Sequence, residues 1–504
     1  MFWGEVCLVL TRSGPIDVCG LLCASKNFLD IGALAPYRFF GQMSAYFLDR
    51  RLFLRASLAA ASVSFLPGFV FGEQLEAERT EWYRAAKFGM FIHWGPYSLA
   101  SVEASWPIMR PDNWGTPGAV YQAHGISETD YRALPIRFNP TKWDPNLLID
   151  LARTAGQKYM VFTTKHHDGF CMFDSSYTDY KVTNTPYGKD IVKQLADACA
   201  LRSMPLGFYY SPPDLNHPGF RDTSRLSRDT WNGQPERPEW SSYLDYMSLQ
   251  LTELLTRYGD VRVIWFDGLH HQEKYDGQRF LDLIHKLQPA TLVNDRIGVA
   301  ADFVTPEQFI PKAIPTKDVR MRGSDASVQK EFRQGIPSAA DFQLWETCMT
   351  INNTWAYNSY DHNYKSAQDL IRSLIEVASR GGNFLLNVGP QPDGMIQPEF
   401  QERLKAIGEW MTANGDSIYG TTFGPIQGER AYRTTARGSD VFLHVFEWSS
   451  PSLTITGIEP RVLSARLLAN GRSLPFKQTE HGLQIDAPQE APDKNATVIA
   501  LRTL

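Results

Sequence analysis

Val261-Arg262-Val263-Ile264-Trp265-Phe266-Asp267-Gly268 is the stretch that decides the architecture. Val261, Val263, Ile264 and Phe266 are β-branched or aromatic residues of high strand preference, and the run stops at a carboxylate followed by glycine. It reads as a buried strand with Asp267 at its C-terminal lip. In a barrel of alternating strands and helices that lip is the reactive end, because the strand fixes the side chain while the next loop opens to solvent. A strand-end Asp can equally cap a turn, so its neighbours along the chain have to decide.

Outward from this strand, similar apolar runs alternate with helical periods, as parallel βα units require. The strands expected are Phe88 to Trp94, Tyr159 to Lys165, Pro205 to Ser211, Val261 to Asp267, Thr291 to Arg296 and Asn383 to Gly389. Between and after them, helices are expected over Pro145 to Thr154, Ile191 to Leu201, Ser241 to Tyr258, Phe280 to Leu287, Ala367 to Ser379 and Pro398 to Thr412. His217 to Trp240 and Pro311 to Ala340 are rich in Pro, Gly, Arg and Ser without period, and read as long loops or insertions. Beyond Gly424 the chain switches to short alternating runs, Asp440 to Glu447, Arg461 to Leu468 and Ala496 to Leu501, which predict a small antiparallel β-sandwich.

The domain organisation expected is a barrel over 78–420 and a sandwich over 425–504. Residues 1–42 show no period or capping logic and are read as an extension before a start at Met43. Over 43–73, Asp49-Arg50-Arg51-Leu52-Phe53-Leu54-Arg55 precedes an apolar, Ala-rich run from Ala56 to Phe71, the layout of a twin-arginine signal. The run is short for a bilayer span, so the expectation is an exported protein, periplasmic or extracellular, with no membrane span once mature.

Composition narrows the function classes. Among 504 residues, 50 basic side chains face 55 acidic ones, which offers no polybasic surface for nucleic acid. Aromatic residues make up 12%, and their rings suit the C–H faces of sugars. Cys171, Cys199 and Cys348 form no metal-ligand spacing and no disulfide framework, and read as buried thiols.

Polar groups gather at the strand ends: His93, the pair His166-His167, Asp267 and Arg296. Two adjacent histidines on a strand point to opposite faces, so both enter one site only where the strand ends and twists. One reading is a metal site with His93, His166, His167 and Asp267 as ligands, although no His-x-His strand pair or His-x-x-x-His helix pair supports it. The other is a sugar pocket, with Arg296 supplying a fork of N–H donors. Thr305-Pro306-Glu307 follows, and Asp267 with Glu307 are the two carboxyls that a retaining glycosidase requires, about 5 to 5.5 Å apart.

These residues fall into an ordered set: Lys87-Phe-Gly-Met-Phe-Ile-His93-Trp-Gly, Thr164-Lys-His166-His167-Asp-Gly-Phe, Gly207-Phe-Tyr-Tyr210-Ser, Trp265-Phe-Asp267-Gly, Trp345-Glu346-Thr-Cys and Gly381-Gly-Asn383-Phe-Leu-Leu-Asn-Val-Gly-Pro390. The set, from about Glu81 to Tyr419, resembles the family 29 glycoside hydrolases, the α-L-fucosidases. That resemblance implies a degenerate (β/α)8 TIM-like barrel with a C-terminal β-sandwich, retention of configuration, and no required metal or cofactor. It implies fucosylated glycans as the partner. Its nucleophile falls on Asp267 and its acid/base on Glu307, with Glu346 in reserve. Its sugar-contacting residues fall on His93, His166, His167, Tyr210, Trp265 and Arg296, with Trp106 and Trp355 at positions where this chain departs from the common pattern. Val102-Glu103-Ala-Ser-Trp106-Pro stands where many members carry Glu-Trp-Tyr, and Thr354-Trp355-Ala-Tyr357 where a Gly often precedes the Tyr. These forms, with Trp-Glu-Thr-Cys-Met-Thr-Ile-Asn, are similar to the branch restricted to α-1,3 and α-1,4 linkages. A non-catalytic fucose-binding protein and a metal-dependent barrel hydrolase are the competing readings.

Overall fold

The computed structural model describes residues 79–109, 126–224, 230, 232–268, 272–316, 322–323, 337–338, 341–427 and 430–504. The expected extension and signal, over 1–73, lie outside the described residues, as do parts of both long loops.

Seven parallel strands make the first sheet: β1 (Phe88–Ile92), β2 (Tyr159–Lys165), β3 (Leu206–Tyr210), β4 (Val263–Phe266), β5 (Leu292–Val293), and, after the two-residue strands β6 (Thr305–Pro306) and β7 (Arg322–Gly323), β8 (Glu346–Thr350) and β9 (Asn383–Val388). Their order is β5-β4-β3-β2-β1-β9-β8. The two edges meet through the segment carrying β6. On one side Asp302 N–H donates to Val293 O at 2.9 Å and Asp295 N–H to Phe303 O at 3.0 Å. On the other, Val304 N–H donates to Leu344 O at 3.0 Å and Gln308 N–H to Cys348 O at 2.9 Å. The ring therefore closes into a barrel. It is degenerate between β5 and β6: only a 3-10 turn, Asp295–Ile297, separates them, where a regular barrel would place a helix.

The other connections carry amphipathic helices. Pro145–Ala155 starts on Asp144, whose side chain takes the Asn146 N–H, and ends on left-handed Gly156. Ile191–Leu201, Trp240–Arg257 and Gly277–Leu287 follow β2, β3 and β4. Ala367–Ser379 opens with a capping box between Ser366 and Asp369, and Pro398–Asn414 closes the barrel layer.

Strand alternation sorts the side chains into two cores. Phe91, Tyr159, Val161, Tyr209, Val263, Trp265 and Leu385 fill the barrel interior. Phe88, Met90, Phe208, Tyr210, Ile264, Phe266 and Phe384 pack outward under the helices. Gly89 is needed for the first set: a Cβ there would fall 2.5 Å from the Tyr159 ring, which occupies that space. With Val263 and Trp265 inward, Asp267 points inward too, at the barrel mouth.

Two antiparallel sheets follow. β10 (Thr422–Phe423), β11 (Tyr432–Arg437), β12 (Asp440–Val445), β13 (Ser452–Ile455), β14 (Val462–Leu467), β15 (Phe476–Thr479), β16 (Gly482–Asp486) and β17 (Thr497–Thr503) pair in the orders β10-β11-β12-β17-β14 and β13-β16-β15. Leu443, Ile499 and Leu501 from the first sheet share one core with Ile455, Leu483 and Ile485 from the second. Trp410 Nε1–H donates to Ala496 O at 3.0 Å, tying this sandwich to the barrel's last helix. No helix among the described residues is long and apolar enough to cross a membrane.

Candidate active site

Asp267 follows the last residue of β4, and Gly268 turns the chain sharply behind it with φ +69°. A Cβ on Gly268 would meet His167 Cε1 at 2.5 Å, so glycine serves both the turn and the space for the imidazole. The Asp267 carboxylate is held from several sides. Arg296 Nη1–H donates to Oδ1 at 2.5 Å, Tyr209 OH donates to Oδ2 at 2.8 Å, and His167 Nε2 stands 3.7 Å from Oδ2. Burial works to raise this carboxyl, but Arg296, His167, the Tyr209 hydroxyl and the Gly268 N–H outweigh it and hold it below the usual range.

Glu307 comes just after β6, in the segment that closes the ring. Arg296 Nη2 lies 3.0 Å from Glu307 Oε2, so one guanidinium spans both carboxylates. The fork is fixed in turn: Arg296 Nε–H donates to Thr305 Oγ1 at 2.8 Å and Nη2–H to Thr305 O at 3.0 Å. Burial raises Glu307, Arg296 opposes it, and the neighbouring Asp267 charge adds to the rise, leaving this carboxyl above its usual range. Both remain reachable, their side chains 18% and 25% exposed. The site thus holds one carboxyl poised to stay ionised and one poised to keep its proton.

Three histidines ring the mouth. A bulge in β2, where Thr163 pairs with Tyr209 but Lys165 with Tyr210, shifts the alternation by one residue. His166 then faces inward, stacked on Tyr209 at 5.4 Å with 2° between planes, while His167 lies in the following turn, ring centroids 4.2 Å away. Ser105 Oγ accepts the Asp168 N–H and lies 2.7 Å from His166 Nδ1, a contact that fixes the ring's orientation. Ser211 gives its proton to Pro213 O, so His167 Nδ1–H donates to Ser211 Oγ, at 2.6 Å. His93 Nδ1 meets Asn387 Oδ1 at 2.7 Å. Burial pushes His93 down to about 4, and burial with the neighbouring His167 and His93 pushes His166 well below the usual range. The neutral imidazoles of His93 and His166, fixed in orientation, suit hydroxyl groups.

Trp355 leans over His93 at 5.0 Å. Its loop is held by Glu103, whose carboxylate accepts the N–H groups of Trp355 at 2.7 Å, Ala356 at 2.9 Å and Ala104 at 3.1 Å. Glu103 therefore faces the backbone, with burial raising it to about 7 against those three donors. Trp106 begins the helical turn Trp106–Met109, next to the Ser105 that bonds His166.

Two expectations are corrected. Tyr210 points away from the mouth: its hydroxyl donates to Gln250 Oε1 at 2.8 Å on the Trp240–Arg257 helix, and Lys165 Nζ lies over its ring. Tyr209, in register with Trp265, takes the inward place, and Tyr-Tyr at a strand end leaves only this pairing to tell them apart. Glu346, the reserve acid/base, is 1% exposed on the barrel floor at the first residue of β8, the end opposite the mouth. It accepts Tyr83 OH at 2.6 Å, Trp265 Nε1–H at 3.0 Å and the Tyr159 hydroxyl, and burial raises it to about 7. Trp265 itself is 1% exposed and supports the site from below, with Arg296 over its ring at 4.7 Å. Tyr209, Ser105, Ser211 and Asn387 are site residues that sequence reasoning missed. Only the strand parity carried a signal, and only for Tyr209.

Residues 72–416 match the family described as Alpha-L-fucosidase. The chain belongs to the α-L-fucosidase family. Among its relatives, the α-L-fucosidase of Dictyostelium discoideum is 27% identical over 442 residues, 82% of this chain and 89% of that one. The plasma α-L-fucosidase of Rattus norvegicus is 30% identical over 366 residues, 68% and 70% of the two chains. In structure, α-L-fucosidase isoenzyme 1 from Paenibacillus thiaminolyticus superposes with a TM-score of 0.73 at 33% identity, covering 85% of this chain and 100% of that one. A family 29 α-L-fucosidase from Bacteroides thetaiotaomicron, trapped as a covalent intermediate with 2-fluoro-fucosyl fluoride, gives 0.69 at 26% identity, covering 85% and 96%. This fucosidase is a glycoside hydrolase that acts with retention of configuration.

By spacing alone, His166, His167 and Asp267 could hold a metal ion, with ligand atoms within 4.8 Å of one another. The donor set of the fucosidase argues otherwise. The Arg296 guanidinium already neutralises Asp267, and a dication would sit against that fixed positive charge.

Proposed function

We propose that Asp267 is the nucleophile and Glu307 the acid/base of double displacement on α-1,3- and α-1,4-linked fucosyl groups of branched glycans, in a protein exported by the twin-arginine-type signal over 43–73. The observation that carries the catalytic assignment is the single guanidinium shared by two carboxyls pushed in opposite directions. In the first step an Asp267 oxygen bonds to the anomeric carbon as the glycosidic bond breaks, and the leaving oxygen takes the Glu307 proton. In the second, water gives a proton to the Glu307 carboxylate and its oxygen replaces Asp267 on the anomeric carbon. His93, His166 and Trp355 lie where they would contact the sugar. The linkage assignment is supported by the Glu-Ala-Ser-Trp-Pro and Trp-Glu-Thr-Cys-Met-Thr-Ile-Asn forms.

The test of the nucleophile is Asp267→Gly with added azide. Turnover should fall by orders of magnitude, and azide should restore part of it as a fucosyl azide product. Wild-type turnover in the variant would remove Asp267 from the role. Product analysis on α-1,2, α-1,3, α-1,4 and α-1,6 fucosylated glycans tests the linkage, and rapid release from the α-1,2 or α-1,6 compounds would overturn it.

A further inference from the structure

Glu346 has no path to the substrate, yet it is bonded through Trp265 to both groups that direct Asp267. Its Oε1 accepts the Trp265 Nε1–H at 3.0 Å, which fixes the indole plane across the barrel floor. On that plane rest two donors. The Arg296 guanidinium lies over the ring at 4.7 Å, and Tyr209 stacks against it at 5.8 Å with 16° between planes. These two meet different oxygens of Asp267, Arg296 at Oδ1 and Tyr209 at Oδ2. A rotation of the indole would shift both, and so change the direction and strength of each hydrogen bond on the carboxylate.

A charged acceptor suits this task better than a neutral one. Glu346 Oε2 also accepts Tyr83 OH at 2.6 Å and the Tyr159 hydroxyl, so three donors converge and the carboxylate is braced from β2 and from the segment that precedes β1 as well. Above about pH 7, where Glu346 is ionised, its carboxylate only accepts, which matches an environment made only of donors. An amide at this position would turn an N–H toward one of them.

We infer that Glu346 is a positioning residue for Asp267, acting through Trp265 to set how Arg296 and Tyr209 meet the carboxylate. The inference rests on Asp267 being the nucleophile. Glu346→Gln should lower kcat about tenfold, leave KM within about twofold, and move the acid limb of the pH profile upward, since a carboxylate with poorer donors ionises later. Trp265→Phe keeps a ring but removes the N–H, and should move the same limb. The double variant should lose no more than the worse single one, because both break one connection. Tyr83→Phe is the control: it removes a different donor to Glu346 and should lower Tm while leaving kcat and the limb in place.

Additive losses in the double variant, an unmoved acid limb in Glu346→Gln, or an equal kcat loss in Tyr83→Phe would each overturn the inference. Where Glu346→Gln does not fold, Trp265→Phe against Tyr83→Phe carries the comparison, and equal limbs in the two sink it. The azide experiment on Asp267→Gly separates the two levels. Its failure would strike the nucleophile while the Glu346–Trp265 coupling stands as measured, whereas additivity would strike the coupling alone.

Discussion

Replacing Arg296 by lysine tests whether one guanidinium sets the charge state of both carboxyls. Arginine reaches Asp267 with one nitrogen at 2.5 Å and Glu307 with another at 3.0 Å. A lysine ammonium is a point charge that meets one of them. The carboxyl it abandons loses a charge-assisted hydrogen bond worth roughly 1.5–3 kcal/mol, which is about one to two pH units at 1.36 kcal/mol each. Activity needs Asp267 ionised and Glu307 protonated, so it climbs with pH through the first titration and declines through the second. Arg296 lowers both groups. Whichever one loses it therefore titrates later: the acid limb moves up if it is Asp267, the basic limb if it is Glu307. The profile of kcat/KM against pH for Arg296→Lys should thus shift only toward alkaline pH, with turnover at the optimum reduced by about 10- to 100-fold. Thermal melts of the same samples check that the fold is intact. Limbs that stay in place, or that move toward acid, would refute the shared-guanidinium argument.

Other outcomes follow from the same geometry. Tyr209→Phe should cost activity at least tenfold by removing a donor from Asp267, while Tyr210→Phe, which loses only its bond to Gln250, should cost about 1 kcal/mol of stability and leave kcat/KM unchanged. Kinetics and denaturant melts on the pair check this, and the reverse ranking would return Tyr210 to the mouth. Glu103 and Glu346 are both raised from 4.5 to about 7 by burial. Between those values the folded chain holds protons that the unfolded chain has released, so their contribution is full below about 4.5 and lost as pH rises through about 7. Tm should fall across that window in the wild type and fall less in Glu103→Gln, and parallel curves would show that Glu103 does not titrate there. Gly268→Ala should depress activity by crowding His167 and straining a turn at φ +69°, read as a kcat loss larger than the Tm loss explains.

How much of this was legible in the chain depends on whether the deciding contact was local. Tyr159 to Lys165 and Ile191 to Leu201 carry their own periodicity, and they form over those same residues. Glu346 to Thr350 does not look like a buried strand, because its polar residues are satisfied by partners far away, Tyr83 and Tyr159 among them, and no strand was expected there. The same holds for β6, two residues long with a proline, whose pairing depends on both sheet edges. The His166-His167 pair posed the right question, whether the strand ends in time, but the answer lies in a bulge set by register with β3. Tyr210 went wrong for a related reason: parity in Phe208-Tyr209-Tyr210 follows from the partner strand, in which Trp265 faces inward.

The barrel is closed by a two-residue strand, and that gives the two carboxyls unequal foundations. Asp267 extends from a strand preceded by an 18-residue helix, whereas Glu307 rides on a two-residue strand with no helix between it and β5. The position of Glu307 therefore depends on two sheet edges at once, while that of Asp267 depends on one continuous strand. A disturbance at either edge would tilt the proton donor while leaving the attacking oxygen on its own footing.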